Sequence, residues 1–312
     1  MSNSDAIVIT AAKRTPIGHF CGNLQSIPAP RLGAHAIQAV LEQAPIDHQH
    51  IHQVSMGCVL PAGLGQAPAR QAAHYAGLPQ HVPCTTVNKM CGSGMETILQ
   101  SHDRLRANRG EVMIAGGMEN MSQAPYLSVD TRQGARIGNK QLLDHMMHDG
   151  LEDAYHEHQP MGNFAELCAD KYGITREQQD AYALASIERA IQATQSGAFQ
   201  HEIAPIDVKH RRETITITED EGILHAKPEK VPTLRPAFKQ DGTVTAANAS
   251  NISDGAAAIM MMRQSTATAL NATPLAKICG ISVHAQAPEW FTTAPIGAIQ
   301  SLLKQLDWDI ST

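Results

Sequence analysis

A cysteine set between an extended segment and a helical pattern is the feature of this chain best suited to chemistry. In Asn88-Lys-Met-Cys91-Gly-Ser-Gly94 the thiol follows the apolar run Pro83 to Val87 and coincides with the start of the helical pattern Ser93 to Ala107. The first turn of a helix offers N–H groups and partial positive charge, which favour the nucleophilic thiolate. Gly92 and Gly94 have no side chains, so an acyl group has room to approach the sulfur and the Cys91 N–H can face a developing oxyanion. Local physics leaves a second use open, a small hydrophobe filling a tight strand-to-helix turn. Gly92-Ser-Gly94, with Glu111 about 20 residues on, also starts a dinucleotide fingerprint. Its third small position is Thr97, and the motif lies far from the first βα turn, so a nucleotide-dependent dehydrogenase is disfavoured.

The other chemistry-bearing residues are less organised. Cys21, Cys58, Cys84, Cys168 and Cys279 are scattered, without the paired spacing of a zinc site or disulfide framework, and are expected to be reduced. Among 16 histidines, His48, His50 and His52, the pair His145 and His148, and the pair His156 and His158 all lie in polar stretches. Solvated loop histidines are the expectation, and no metal site is expected.

These residues must be placed by a fold of some size. The 312 residues exceed one usual domain, and 43% hydrophobic against 17% charged residues describes a chain that packs a core. Aromatics supply only 4%, so Ala, Val, Ile, Leu and 13 Met must do the packing. A net charge of −6 argues against a general basic surface for nucleic acid or anionic lipid. No apolar run approaches the roughly 20 residues of a membrane span, and no signal-peptide core precedes Ala6, so a cytoplasmic enzyme is expected.

Apolar runs at Ala6 to Thr10, Val54 to Val59, Pro83 to Val87 and Val112 to Gly116 alternate with helical patterns at Leu32 to Gln43, Ala67 to Ala76 and Ser93 to Ala107. That alternation predicts α/β layering over a largely parallel sheet. From Ser122 to about Asp241 polar loops dominate, with one long helix from Thr175 to Ser196 opened by the capping box Thr175-Arg-Glu-Gln178. Strand character returns at Ala256 to Met262 and Ala276 to Val283, and a helix is expected from Pro295 to Leu306.

The Cys91 segment resembles the nucleophile motif of thiolases, and it has company. Arg14-Thr-Pro-Ile-Gly18, Gly116-Gly-Met-Glu-Asn-Met-Ser122, Leu234-Arg-Pro-Ala-Phe238 and Gly242 to Ser250 followed by Ser253-Asp-Gly-Ala-Ala257 look like further thiolase signatures in family order. The resemblance implies a thiolase-like layered α/β/α fold with a large inserted loop domain. By that resemblance, residues 1–121 with 249–273 form the amino-terminal domain, 122–248 a CoA-covering loop domain, and 274–312 the start of a carboxy-terminal domain whose greater part is missing.

It further implies acyl transfer between CoA thioesters, as in an acetyl-CoA C-acetyltransferase, with Cys91 taking the acyl group. Substrates would be acetyl-CoA, acetoacetyl-CoA and CoA, with no resident cofactor. Met161 would pack near the pantetheine arm, and Phe238, Ala246 and Ser250 would line the rest. The family builds dimers and often tetramers, so a homodimer or homotetramer is expected, with no nucleic acid or membrane partner. Two departures touch the CoA contacts: Gln159-Pro160 precedes Met161 where the family often has histidine, and Gly222 to Thr233 lacks an arginine that some relatives direct to the nucleotide. Lys227, Lys230 and Arg235 remain candidates for phosphate. The family's later Asn-Glu-Ala-Phe, Gly-His-Pro and Cys-x-Gly-Gly motifs, borne on about eighty further residues, over half a typical domain, do not occur before Thr312. The competing expectation is therefore a truncated chain that binds CoA or a sister chain without turnover.

Overall fold

The computed structural model describes residues 5–156, 158–210 and 213–311. Along the chain run β1 (Ile7–Arg14), β2 (Gly18–His19), α1 (Ala29–Gln43), β3 (Ile51–Gly57), α2 (Pro68–Tyr75), β4 (Cys84–Val87), α3 (Ser93–Arg106) and β5 (Val112–Asn120). Next come β6 (Tyr126–Leu127), β7 (Leu143–Asp144), α4 (Met161–Tyr172), α5 (Arg176–Gln195), β8 (Ile206–His210), β9 (Glu213–Ile217) and α6 (Glu221–Leu224). The last elements are β10 (Ser253–Arg263), α7 (Gln264–Ala269), β11 (Ala276–Lys277) and α8 (Ala294–Leu306). Two compact units result. The first holds the described residues through Gly150, Ser196–Leu224 and Ile252–Lys277; the second holds Leu151–Gln195, His225–Asn251 and the described residues from Ile278 onward. Segment 122–248, expected as one covering domain, is thus shared between the two units.

In the first unit the sheet order is β11-β1-β10-β5-β3-β4, with β2 beside β10. The α/β class holds, but the sheet is mixed rather than largely parallel. β3 runs parallel to β4 and β5, whereas β10 is antiparallel to both β5 and β1. Connectivity explains the difference: the chain that leaves β5 comes back as β10 directly beside it, Asp254 opposite Asn120, and a strand returning to its own neighbour pairs antiparallel without a crossover helix.

The two faces of this sheet are packed differently. On one face α1 and α2 bring Ala34, Ile37, Val40, Ala69 and Ala72 against Val54, Met56, Ile114, Met118, Met260 and Met262. Pro30 in the first turn of α1 fits the fixed φ that helix starts require. On the other face α3 comes close to the backbone itself. A Cβ at Gly57 would lie 2.7 Å from the Gly94 nitrogen, and one at Gly117 would lie 3.3 Å from the Gly94 Cα. Glycine at these positions is what lets the start of α3 rest on β3 and β5.

Expected helices appear within one to three residues of their predicted bounds, and the capping box at α5 forms as read: the Gln178 side chain accepts from the Thr175 N–H at 2.9 Å, and Thr175 Oγ1 accepts from the Gln178 N–H at 3.3 Å. The expected strand Ala276 to Val283 is reduced to β11, because only Ala276 and Lys277 find partners, on β1, and the next residues are irregular. Helix α4 and the β8–β9 hairpin lie where polar loops were expected.

Candidate active site

Cys91 lies where β4 gives way to α3, one residue before Gly92, which caps the helix. The turn is closed by its own backbone and by motif side chains. Gly92 N–H donates to Lys89 O at 3.1 Å and Ser93 N–H to Met90 O at 3.0 Å, so these two N–H groups are engaged within the turn rather than free for a ligand. Ser93 Oγ accepts from Lys89 N–H at 2.8 Å and donates to Met90 O at 2.6 Å, while Asn88 Oδ1 accepts from Met90 N–H at 3.0 Å. Met90 pays for this geometry with φ +48°, a left-handed conformation unusual for a residue with a Cβ. Thr97, one turn along α3, ties the helix to β5: its hydroxyl donates to Gly116 O at 2.9 Å and accepts from Gly116 N–H at 3.0 Å. The residue that broke the dinucleotide pattern is therefore a staple between helix and sheet.

Cys91 is exposed and forms part of the wall of a cleft of about 370 Å³. Of the six cysteines it is the one on that wall. Cys58 is buried, and loss of solvation, with the Glu119 charge beside it, pushes its thiol up to about 12. Burial also raises the Cys84 thiol above its ordinary value.

The charged groups on the cleft wall are already occupied. Arg14 donates to Asp220 at 2.6 and 3.0 Å and to Glu202 at 2.7 Å. Burial opposes its charge, and its hydrogen bonds to Asp220 and Glu202 outweigh that, so the guanidinium stays above its ordinary value. Asp254, fully buried, accepts from Ser122 N–H at 3.0 Å and Ser122 Oγ at 2.6 Å. Glu119 accepts from Val59 N–H at 2.7 Å and Leu60 N–H at 3.0 Å, with the Cys58 thiol 3.6 Å away. Desolvation raises both carboxyls above the ordinary carboxylate range.

The model of the thiolase amino-terminal domain matches residues 7–265. The chain belongs to the thiolase family. It is 46% identical over 308 residues to acetyl-CoA acetyltransferase 1 of Arabidopsis thaliana, covering 98% of this chain and 74% of that protein. Acetyl-CoA acetyltransferase 2 of the same plant is 47% identical over 300 residues, 95% of this chain and 74% of its own length. A probable acetyl-CoA acyltransferase of Staphylococcus aureus (strain COL) is 43% identical over 307 residues, 98% and 78% of the two chains.

The residues that the thiolase resemblance assigned to CoA all fall in the second unit. Met161 starts α4, and Gly162 beside it is in contact with the Phe238 ring, where no Cβ would fit. None of the four is buried: Met161 is half-buried, Phe238 is 36% exposed, and Ala246 and Ser250 are exposed. Their loop is held by Glu166, only 3% exposed, which accepts from Thr243 N–H at 2.9 Å and Val244 N–H at 2.7 Å. Asn248 reinforces the loop by accepting from Thr245 N–H at 2.7 Å. Lys227, Lys230 and Arg235 make no ion pair among the described residues.

The histidine expectation needs one correction. His145 is buried rather than solvated, because its Nδ1 lies 2.6 Å from Asp149 Oδ2 and its Nε2 accepts from Ala62 N–H at 3.4 Å. Among the described residues no cluster of three His, Cys, Asp or Glu side chains is arranged for a metal ion, and no helix is long and apolar enough to cross a membrane. Sequence reasoning missed Glu119 and Asp254. The available signal was a carboxylate at the end of an apolar strand, where burial demands a partner.

Proposed function

We propose that this protein is an acyltransferase of CoA thioesters, with acetyl-CoA as acyl donor and Cys91 as nucleophile. In the first step the Cys91 sulfur attacks the thioester carbonyl, the bond to the CoA sulfur breaks, and CoA leaves as its thiol with the proton released from Cys91. In the second, the α-carbon of another acetyl-CoA, having lost a proton, attacks the Cys91 thioester. Acetoacetyl-CoA forms as the bond to the Cys91 sulfur breaks, and the proton lost from the α-carbon restores the Cys91 thiol; run backwards, CoA cleaves a β-ketoacyl-CoA. The observation that carries the reading is the position of Cys91, exposed on the cleft wall at a glycine-bounded turn. The names of the relatives supply the substrate class.

Met161, Phe238, Ala246 and Ser250 are the proposed CoA contacts, and CoA thioesters are substrates with no cofactor beside them. Self-association as a homodimer or homotetramer and a cytoplasmic setting belong to the same reading. A second reading, binding of CoA without turnover, is favoured by the two cleft carboxylates, both bound to backbone N–H groups rather than poised for proton transfer. Mass spectrometry after incubation with acetyl-CoA decides the first step: an acetyl group on the Cys91 peptide, absent from C91S, is expected. Label elsewhere, or none, overturns the nucleophile assignment. Acetoacetyl-CoA cleavage by CoA separates turnover from binding, and light scattering tests self-association.

A further inference from the structure

Glu119 stands at the end of β5, where β3 and β5 stop pairing. Their parallel register runs to Gly57 opposite Gly117. Beyond it the chain after β3 leaves the ladder, and the N–H groups of Val59 and Leu60 lose any strand partner. The Glu119 carboxylate takes both, one oxygen to each, at 2.7 and 3.0 Å. A buried backbone N–H without a partner costs about 1–3 kcal/mol in general, so a carboxylate at this position fixes the path of residues 58–60. Pro61 follows, with no N–H to satisfy, and turns the chain away.

Val59 is gripped from its other side by the Cys91 motif. Its carbonyl accepts from Asn88 Nδ2 at 3.4 Å, and Asn88 Oδ1 accepts from the Met90 N–H at 3.0 Å. Met90 is the residue in left-handed conformation that directly precedes Cys91. A continuous set of hydrogen bonds thus runs from Glu119 through the Val59 peptide and the Asn88 amide to the strained peptide that aims the thiol. Glu119 and Val59 also form part of the wall of the cleft on which Cys91 lies.

We infer that Glu119 is a positioning residue for Cys91, holding the thiol's turn through Val59 and Asn88 rather than touching the acyl group. The carboxylate serves here as an acceptor for N–H groups, a task that an amide does poorly because its NH₂ end opposes one of the two donors. The inference deepens the acyl-transfer reading and rests on it for the natural reaction, but its test uses no thioester.

The experiment is brief alkylation of the full chain with iodoacetamide, the label at each cysteine being read by mass spectrometry in wild type, E119Q, N88A and the double variant. In E119Q the Cys91 rate is expected to fall at least about fivefold, as misplacement of a reacting group does, while the exposed Cys21 and Cys279 keep their rates and the buried Cys58 stays unlabelled. N88A should slow Cys91 similarly, and the double variant no further than the slower single one, the non-additivity of residues acting along one path. A merely structural role would instead expose Cys58 and leave the ratio of Cys91 to Cys279 unchanged. Should E119Q not fold, E119D decides: it keeps the charge but withdraws by one methylene, and is expected to slow Cys91 less. An unchanged Cys91 rate in either folded variant, or losses that multiply in the double variant, overturn the inference. Failure of wild type to be acylated by acetyl-CoA would instead count against the acyl-transfer reading alone.

Discussion

The turn that presents Cys91 and the turn that carries Phe238 to Ser250 solve the same problem by opposite means. At Cys91 the backbone does the holding: small residues let α3 rest on β3 and β5, Met90 adopts a left-handed φ, and each polar contact is spread over several motif residues. In the second unit one buried side chain, Glu166, collects the N–H groups of two successive residues and draws in the Thr243 hydroxyl at 3.1 Å. A loop held by a single carboxylate should fail abruptly when that group is lost. A turn held largely by close backbone packing should lose stability in smaller steps.

The largest effect is therefore expected at Glu166. E166A leaves the Thr243 and Val244 N–H groups without their acceptor, which should cost about 2–5 kcal/mol. Urea unfolding measures the loss, and hydrogen exchange should quicken at Thr243 and Val244 first. A loss under about 1 kcal/mol, within the range of an ordinary surface change, would break the comparison. Next is G57A. Its new Cβ would meet backbone atoms of Ser93 and Gly94 at 2.7 Å, contacts that no rotamer can relieve. Overpacking of this kind should cost about 1–3 kcal/mol and slow Cys91 alkylation, since the start of α3 must move off the sheet. Neutral stability with unchanged reactivity would show that the close approach matters little.

How much of this was legible follows from range in sequence. The helices, the Cys91 turn and the capping box are local, so composition and spacing within a few residues sufficed. The mixed sheet was not, because it depends on where β10 lies relative to β5 after a long excursion, which no window of the sequence encodes. The same holds for the site. Cys91 announces itself by its glycines, but Glu119 and Asp254 acquire meaning only when β5 and β10 bring them to the cleft and to their respective donors, Val59 and Ser122. His145 was misread for a related reason: its polar neighbours suggested solvent, whereas Asp149 and the Ala62 N–H come from one turn away and from a distant loop.

The comparison is sharpened by a carboxyl in the first unit that is not free to be charged at no cost. Burial holds the folded-state pKa of Asp254 above that of the unfolded chain, so between the two values the folded protein binds more protons. Stability must then fall as pH rises from the ordinary aspartate range through the folded pKa, and be greatest below it. D254N cannot ionise and still offers an oxygen to the Ser122 N–H, so its thermal midpoint should lack this descent. Parallel pH profiles for wild type and D254N, or a wild-type profile rising relative to the variant over that window, would contradict the assigned direction.

The smallest effect on stability is expected at Met90, and it tests whether strain at the Cys91 turn serves aim rather than folding. The left-handed φ of +48° costs a residue with a Cβ on the order of 1 kcal/mol, which glycine avoids. Glycine also gives the unfolded chain more freedom, which costs the folded state about 0.5–1 kcal/mol. The two terms oppose each other, and the Met90 side chain, 44% exposed, loses little packing when removed. M90G should therefore fall within about 1 kcal/mol of wild type in urea unfolding. Its effect should lie in the presentation of the thiol. With glycine the peptide before Cys91 is no longer confined to one basin, and the hydrogen bond from Met90 N–H to Asn88 no longer suffices to orient it. Alkylation of Cys91 should then slow about two- to threefold while Cys279 is unaffected, a small loss of the kind expected when a reactive group is less well preorganised. A loss of stability beyond about 2 kcal/mol would assign Met90 to packing, and an unchanged or faster Cys91 would mean that the strained peptide does not aim the sulfur.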